Sequence, residues 1–560
     1  MQGPAINIAK ELNLHTVVLD GSSSAPCISM ADQFEQIDLK DKESIESFAR
    51  NLLKKNKRLG IMTAGTDFSA SVAWTAEKLG LPGIPYETAL NASDKSRMRE
   101  CFKKAKLPSP EFYTITKETQ TQFAQTQFTQ SLPFPVVIKP VDNMGSRGCR
   151  RVDNKDEFPQ AAKAAINFSR SGCAIVECFM DGPEFSVDAI VYHGKITICG
   201  LADRHIFFPP YFIEMGHTMP TVIEKEKQDA LLETFCQGIH ALGLSEKENI
   251  GAAKGDIKLT EKGPMIGEIA ARLSGGYMSG WTYPYSSGCL PVRAAILAAM
   301  GREPDSLTPV RNWTCAERAF ISIPGTVKQI INRKKLTEND EKSDKNLNDF
   351  FLRITEGDKV SFPENNVTKC GNIIASAQDR DTAVKAAETA ARSVLIRLGA
   401  SDAQTSLFLE SRENFPPGAF QLTEELKKAL SDLPETQSCI PCLCENKLCV
   451  SKELRLLETS NQSINDKIFI ITPFPEFISS NLTDYMGRTV LEALEDTRLL
   501  TGLTLSIETA NSFSALKPPE NAENIIRLGR SFWAALIRGS YQGAAYYIDN
   551  LRLNETVYQT

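Results

Sequence analysis

The chain has 560 residues, 42% hydrophobic and 24% charged, enough for about three or four domains of ordinary size. Its 63 Lys and Arg against 69 Asp and Glu leave a formal charge of −6, which argues against a nucleic-acid footprint or a membrane-surface role and points to a small-molecule partner. No stretch approaches the roughly 18 uninterrupted apolar residues of a membrane span, and no basic segment leads an apolar one at the N-terminus, so a cytoplasmic protein is expected. The 14 cysteines stand mostly singly in apolar contexts such as Cys178, Cys199 and Cys236, which reads as reduced thiols in a reducing compartment.

In chain order, a helix Ile6–Leu12 leads into an apolar strand Thr16–Leu19, a helix Glu43–Lys55, a strand Leu59–Thr63 and a helix Phe68–Leu79, a βα alternation that predicts a parallel sheet. The turn Thr63–Thr66 then sits past a strand's carboxyl end, where open α/β sheets tend to place ligands, although a capped turn reads equally well. Met1–Pro4 has the texture of a turn after a strand, so a first strand is expected upstream of the chain as given. A helix from Ser93 or Asp94 to Lys106 is closed by Pro108 and Pro110. Next come a strand Pro135–Lys139, a loop Asp142–Gly148, a helix Asp156–Ser169 and strands Ala174–Cys178, Phe185–Val191 and Ile196–Leu201. A helix Lys225–Leu242 precedes a hairpin of Ala252–Leu259 and Met265–Ala270, and a helix Pro291–Met300 follows. Strands Ala319–Ile323, Phe351–Ile354 and Asn372–Ala375, a helix Thr382–Leu398 and an exposed charged loop Asn332–Asn348 complete this part. Beyond it, Thr489–Leu500 and Ile525–Tyr547 read as helical.

Polyphosphate needs cations and close backbone N–H groups. Lys139 ends a strand and is followed by Gly145, Ser146, Arg147 and Gly148, whose glycines let main-chain amides approach phosphate; no Gly-Lys-Ser or Gly-Lys-Thr makes this a Walker A loop. In Val176–Glu184, main-chain groups around Glu177, Cys178 and Phe179 can read an adenine edge and Glu184 can accept from ribose hydroxyls, or the two carboxylates simply flank a surface turn. Asp256 and Glu268 stand on the two strands of the hairpin, and pairing across the turn can place both on one face as hard oxygen ligands for Mg²⁺; the dull alternative is a cross-strand ion pair. Arg272, four residues on, would offer a planar charged fork to a transferring phosphoryl group.

With Asp94-Lys95 opening a helix, Val137-Ile-Lys139-Pro, the Gly145–Gly148 loop, Glu177 with Gly182-Pro-Glu184, and Asp256 with Glu268-Ile-Ala-Ala-Arg272, residues 1 to 400 resemble the ATP-grasp superfamily. The resemblance implies a parallel α/β domain over residues 1–90 lacking its first strand, an α+β ATP-grasp domain over 91–310, a lid-like α/β domain over 311–405 and a partly helical extension over 406–560. It further implies that Lys95 and Lys139 bind ATP phosphates, Glu184 the ribose, and Asp256 and Glu268 the Mg²⁺ or Mn²⁺ ions. Biotin carboxylase and many relatives carry Asn where this chain has Ala270, and its bicarbonate-binding His-Gln-Lys signature is missing from Asp203–Pro220, which disfavours biotin carboxylation. The run Glu268–Gly276 looks more like carboxylate-amine ligases that include L-amino acid ligases and purine-pathway synthetases. The expected reaction is therefore ATP-dependent activation of a carboxylate as an acyl phosphate for attack by an amine. A bicarbonate-using carboxylase or carbamoyl-phosphate-synthase-like enzyme, and a non-catalytic ATP-binding sensor or scaffold, are the alternatives.

Arg204, His205, Glu214 and His217 lie where a lid or substrate loop is expected, and Gly275–Trp281 is a possible acceptor wall or plain packing. Cys439, Cys442, Cys444 and Cys449 fall in one compact run rather than the two separated pairs of a structural zinc site, so they are read as exposed, redox-sensitive thiols rather than zinc or iron–sulfur ligands. A second copy of the chain is the one macromolecular partner left open.

Overall fold

The computed structural model describes residues 2–120, 133–332, 345–438, 468–502, 505–507 and 525–557. Near the start, α1 (Gly3–Glu11) precedes β1 (Val17–Asp20) and β2 (Gln33–Gln36), which pair in parallel with Val17 opposite Gln33. Then come α2 (Lys42–Lys55), α3 (Ser69–Leu79), α4 (Tyr86–Ser93) and α5 (Lys95–Lys104). Asp94 starts α5 by accepting from the Ser96 and Arg97 amides at 2.8 and 3.0 Å, which satisfies two of the helix's orphan donors. The strand expected at Leu59–Thr63 does not form: no ladder reaches it, and only Ala64 makes a bridge, to Leu273. Gly60 lies so close to the helix that ends at Ala299 that a Cβ would stand 2.7 Å from the Ala299 carbonyl, and no described strand runs alongside to pair with the segment.

Two antiparallel sheets frame the centre of the molecule. The smaller has β3 (Phe112–Thr116), β4 (Val136–Pro140), β5 (Arg150–Val152) and β6 (Cys173–Cys178) in the order β3-β6-β4-β5. It buries Ile138, Val152 and Val176 against Phe158, Ala162 and Ile166 of α6 (Phe158–Phe168). The larger sheet contains β7 (Glu184–Tyr192), β8 (Lys195–Phe207), β9 (Ile213–Met219), β10 (Ile250–Thr260) and β11 (Gly263–Ala270), covered by α7 (Lys225–Ala241). Phe235 of α7 fits over Gly255, where a Cβ would come within 2.6 Å of its ring, so only glycine lets helix and sheet close on each other there.

That sheet continues past residue 310. After α8 (Pro291–Ala299), β12 (Thr314–Phe320), β14 (Leu347–Leu352) and β16 (Gly371–Ala377) extend it to eight strands, in the order β11-β10-β7-β8-β9-β12-β16-β14. A smaller sheet is built from β13 (Gly325–Asn332), β15 (Lys359–Val360) and β17 (Val394–Leu398). The helix expected to run to Leu398 is α9 (Arg380–Ser393) and stops short, because Val394, Leu395, Ile396 and Leu398 form β17 and are buried beside β13. Of the charged run 332–348, residues 333–344 lie outside the described residues, and Leu347 and Asn348 belong to β14 rather than to a loop.

The segment Asp203–Pro220, read from sequence as a lid or substrate loop, is instead a β-hairpin: β8 pairs with β9, with Arg204 opposite His217. The last region is more than helical. Strands β18 (Gln437–Ser438), β19 (Ile468–Ile471), β20 (Leu505–Ile507) and β21 (Ile525–Leu528) form a sheet in the order β18-β21-β19-β20. The expected helix from Ile525 thus begins only at Arg530, because Ile526 and Leu528 pair into the sheet core. Phe474, Phe477, Phe532 and Trp533 fill that core, and the Trp533 Nε1–H donates to the Thr472 carbonyl at 2.8 Å. Cys439, Cys442, Cys444 and Cys449 lie outside the described residues.

Candidate active site

A cleft of about 350 Å³ lies between the two central sheets, and it brings together residues from widely separated parts of the chain, from Gly65 to Lys369. Lys95, at the start of α5, donates from Nζ to the Asn143 carbonyl at 2.9 Å and stands 3.7 Å from Glu268 Oε1. Lys139, at the end of β4, is 2.7 Å from Glu177 Oε2, while Arg99 Nε donates to Glu177 Oε1 at 2.7 Å. Burial alone would raise the Glu177 pKa, but Arg99 and Lys139 hold it down at about 2. Arg99 also donates to the Gly267 carbonyl at 2.7 Å, which fixes α5 to the strand that carries Glu268.

The Asn143–Gly148 loop folds on its own side chains. Asn143 Oδ1 accepts from the Met144 amide at 2.9 Å and from Arg147 at 3.1 Å. Gly145, Ser146 and Gly148 are all left-handed, with φ of 67°, 60° and 69°. Gly145 and Ser146 line the cleft, whereas Gly148 faces Phe168, where a Cβ would lie 2.9 Å from its side chain, so glycine lets the loop close on α6 there. Asn366 clasps the loop from the far wall, its amide donating to the Gly145 carbonyl at 2.9 Å and its Nδ2 lying 3.3 Å from Ser146 Oγ.

Along the strand edge, the Cys178 and Phe179 amides are already taken, by the Glu111 and Pro135 carbonyls at 3.0 and 3.1 Å. Met180, the next residue on the cleft, has an amide with no hydrogen-bond partner among the described residues. Phe179 stacks on Phe212 with ring centroids 6.4 Å apart and carries Arg151 over its face at 4.5 Å, which makes this end of the cleft flat and apolar.

Asp256 and Glu268 are directly opposite in the β10–β11 ladder, so both carboxylates emerge on one face. Asp256 accepts from Ser186 Oγ at 2.6 Å, contacts Lys254 and lies 2.9 Å from Arg204. Both acids sit where burial would raise their pKa, and both are held below the ordinary carboxylate range, Asp256 chiefly by Arg204 and Lys254, Glu268 chiefly by Lys95. Such ionised oxygens, each opposed by a lysine ammonium, suit a divalent cation, which would replace the ammonium groups as counter-charge. Arg204 ties Glu184, Glu214 and Asp256 together. Arg272 is aimed by its backbone bonds, Nε to the Thr66 carbonyl at 3.0 Å and Nη1 to the Leu273 carbonyl at 3.1 Å.

Of the four residues singled out in the 203–220 segment, Arg204 and Glu214 line the cleft; His205 and His217 do not. His205 Nε2 is 2.9 Å from Thr218 Oγ1, and burial followed by the Arg318 charge lowers its pKa to about 3, so the ring is neutral. His217 is fully buried, its Nδ1 3.2 Å from Glu317. Gly275, Gly276 and Met278 reach the cleft, whereas Trp281 packs edge-on to Tyr277 and Phe351. Sequence reasoning missed Arg99, Ser186, Lys254, Arg353, Asn366 and Lys369. The one available signal was the alternation Lys254, Asp256, Lys258 on β10, which puts three charges on one face of a strand.

Residues 132–280 match the ATP-grasp domain family, and residues 319–399 match the L-amino acid ligase C-terminal domain 2. The chain thus carries an ATP-grasp domain followed by a C-terminal domain of the L-amino acid ligase type. The solved L-amino acid ligase from Bacillus licheniformis shares the fold with a TM-score of 0.60 at 20% identity, covering 71% of this chain and 96% of that one. Carnosine synthase 1 of Gallus gallus is 22% identical over 316 residues, 53% of this chain and 33% of its own length. A D-alanine–D-alanine ligase of Alcanivorax borkumensis is 31% identical over 115 residues, 20% of this chain and 33% of its own. The chain therefore spans about a third of the length of these curated relatives.

Proposed function

We propose that this chain is an ATP- and Mg²⁺-dependent ligase that activates a carboxylate as an acyl phosphate and joins it to an amine, forming ADP and phosphate. The observation that carries this reading is the Asp256–Glu268 pair, in register across one hairpin and opposed by Lys95, Lys254 and Arg204 in a single cleft. In this reading Lys95, Lys139 and the Gly145–Ser146 amides hold the phosphates, the Met180 amide meets the base, and Glu184 meets the ribose. Asp256 and Glu268 hold Mg²⁺, which supplies charge neutralisation to the phosphate oxygens when bound.

A substrate carboxylate oxygen attacks the γ-phosphorus and the bond to the β-phosphate oxygen breaks, releasing ADP. The amine nitrogen then attacks the acyl carbon, phosphate leaves with the bonding pair, and the amine proton passes to solvent. Arg272 stabilises the phosphoryl and tetrahedral charge, worth about 3 kcal/mol by analogy with oxyanion donors. Positioning and charge suffice for such chemistry, and the neutral, engaged His205 is not asked to act as an acid or base. The sequence similarity to a carnosine synthase and to D-alanine–D-alanine ligases, with the match to an L-amino acid ligase C-terminal domain, supports the carboxylate-amine reading over a bicarbonate-using one. The proposed site of action is the cytoplasm; the described cysteines are free thiols, and no described helix is long and apolar enough to cross a membrane.

The test is ADP and phosphate release from Mg²⁺-ATP with pools of amino acids, other carboxylic acids and bicarbonate, each with and without amines. Release that requires one carboxylate pool and an amine supports the ligase. Bicarbonate-dependent release without an organic acid would replace it with a carboxylase, and ATP binding without release in any pool would replace it with a sensor.

A further inference from the structure

The region beyond residue 405 lies outside both family matches, and no step of the proposed reaction uses it. Two of its aromatic side chains nevertheless reach the rim of the cleft. The turn between β8 and β9 carries Phe208, Tyr211 and Phe212. Tyr211 meets Phe415 edge-on with ring centroids 4.7 Å apart, and Phe208 meets Tyr485 at 6.2 Å. Phe362 joins them, 5.0 Å from Phe208, 5.5 Å from Tyr485 and 5.7 Å from Phe415. These rings pack on Ile213 and Met215 of β9 and on Ala319 of β12, so the turn and the region beyond residue 405 share one apolar cluster.

The turn needs outside support. Phe208 has φ of 63°, a left-handed backbone that is costly for a bulky side chain and persists only where the surroundings impose it. The turn supplies one backbone bond of its own, from the Tyr211 amide to the Phe208 carbonyl at 3.0 Å. Toward the cleft it acts by two routes on the flat end formed by Phe179. Phe212 stacks on Phe179 and lines the cleft. The Pro210 carbonyl accepts from the Arg151 amide at 2.8 Å, and the Arg151 guanidinium lies over the Phe179 ring. Four residues beyond Phe362, Asn366 clasps Gly145 and Ser146, so the same aromatic cluster also backs the loop that closes on the glycine turn.

We propose that Phe415 and Tyr485 are positioning residues for the nucleotide: they hold the β8–β9 turn so that Phe212 and Phe179 keep a flat apolar wall for the adenine base. This rests on the reading that the Phe179–Met180 end of the cleft takes the base. It gives the region beyond residue 405 a part in nucleotide affinity, although neither ring lines the cleft itself.

Calorimetric titration of the full chain with Mg²⁺-ATP and with Mg²⁺-tripolyphosphate, which has the phosphates but no adenosine, tests this. The parent is expected to bind ATP the more tightly. Phe415→Ala and Tyr485→Ala are each expected to weaken ATP binding about 3- to 10-fold, the worth of an edge-on aromatic pair, with tripolyphosphate binding unchanged. Phe415→Tyr, which keeps the ring, is expected to recover most of the loss. Tyr211→Ala approaches the same contact from the turn, so the test does not depend on one variant folding. It is expected to reproduce the Phe415→Ala loss, and the double variant to be no worse than either single. ATP affinity within about twofold of the parent's in Phe415→Ala, Tyr485→Ala and Tyr211→Ala overturns the inference and leaves the ligase reading standing. A loss shared equally by ATP and tripolyphosphate also overturns it, because general loosening does not single out the base end. A parent that binds ATP no more tightly than tripolyphosphate overturns the placement of the base, and this inference with it.

Discussion

Replacing Glu177 by Gln tests the electrostatic frame of the cleft. The carboxylate is 2% exposed and lies between Arg99 at 1% and Lys139, at 2.7 Å from each. Its pKa falls from the usual 4.5 to about 2, a shift equivalent to about 3 kcal/mol. Because the folded-state pKa is the lower one, this stabilisation is complete above about pH 4.5 and is lost as the pH falls through about 2. Glu177→Gln keeps an acceptor oxygen but removes the charge, leaving Arg99 buried with an already unpartnered Nη1. Breaking a buried pair from one side costs about 3–5 kcal/mol at neutral pH, whereas removing both partners is much cheaper. Urea unfolding at pH 7, read on the transition that includes the ATP-grasp region, is expected to show this loss for Glu177→Gln, with much of it recovered in Glu177→Gln/Arg99→Met. A single-variant loss below about 1 kcal/mol, or a double variant as unstable as the sum of the singles, would refute the reasoning.

Lys139→Ala and Glu268→Ala are each expected to lower ATP turnover at least about a hundredfold, and near-normal turnover in either removes that residue from the site. Arg204→Met leaves Glu184, Glu214 and Asp256 without their shared counter-charge and is expected to cost about 3–5 kcal/mol; a melting temperature unchanged from the parent would contradict this. Asp188 is raised from 3.8 to about 6 by burial, against the opposing Ser274 bonds, so the folded state binds more protons than the unfolded state between those pH values. Stability from this group therefore falls by about 3 kcal/mol as the pH rises from 4 to 6. Asp188→Asn is expected to remove that part of the slope in urea titrations at pH 4.5 and 7, and a slope equal to the parent's would refute it.

What was legible in the sequence follows from how local each signal is. Asp94 announces α5 because an N-cap acts within three residues, and β10 and β11 announce themselves through alternation and a tight turn. The β8–β9 hairpin was hidden by its function. Arg204, Glu214 and the buried His217 sit on strand faces that alternation rules expect to be apolar, so a segment rich in charge and histidine looked like a loop. The strand Val394–Leu398 was absorbed into the preceding helix because four or five apolar residues fit either period. Glu177 shows the deeper limit. Its partner Arg99 is 78 residues away on a helix whose sequence is strongly polar, and nothing local distinguishes an arginine bound for the core from one bound for solvent. The same holds for Arg353 and Lys369, which reach the cleft only because β14 and β16 join the sheet that carries Asp256. Hairpin carboxylates and the neighbouring Lys254 can be read from spacing, but Lys95 and Arg204, which also set their charge state, arrive by long-range pairing, and that pairing assembles the motifs in one cleft.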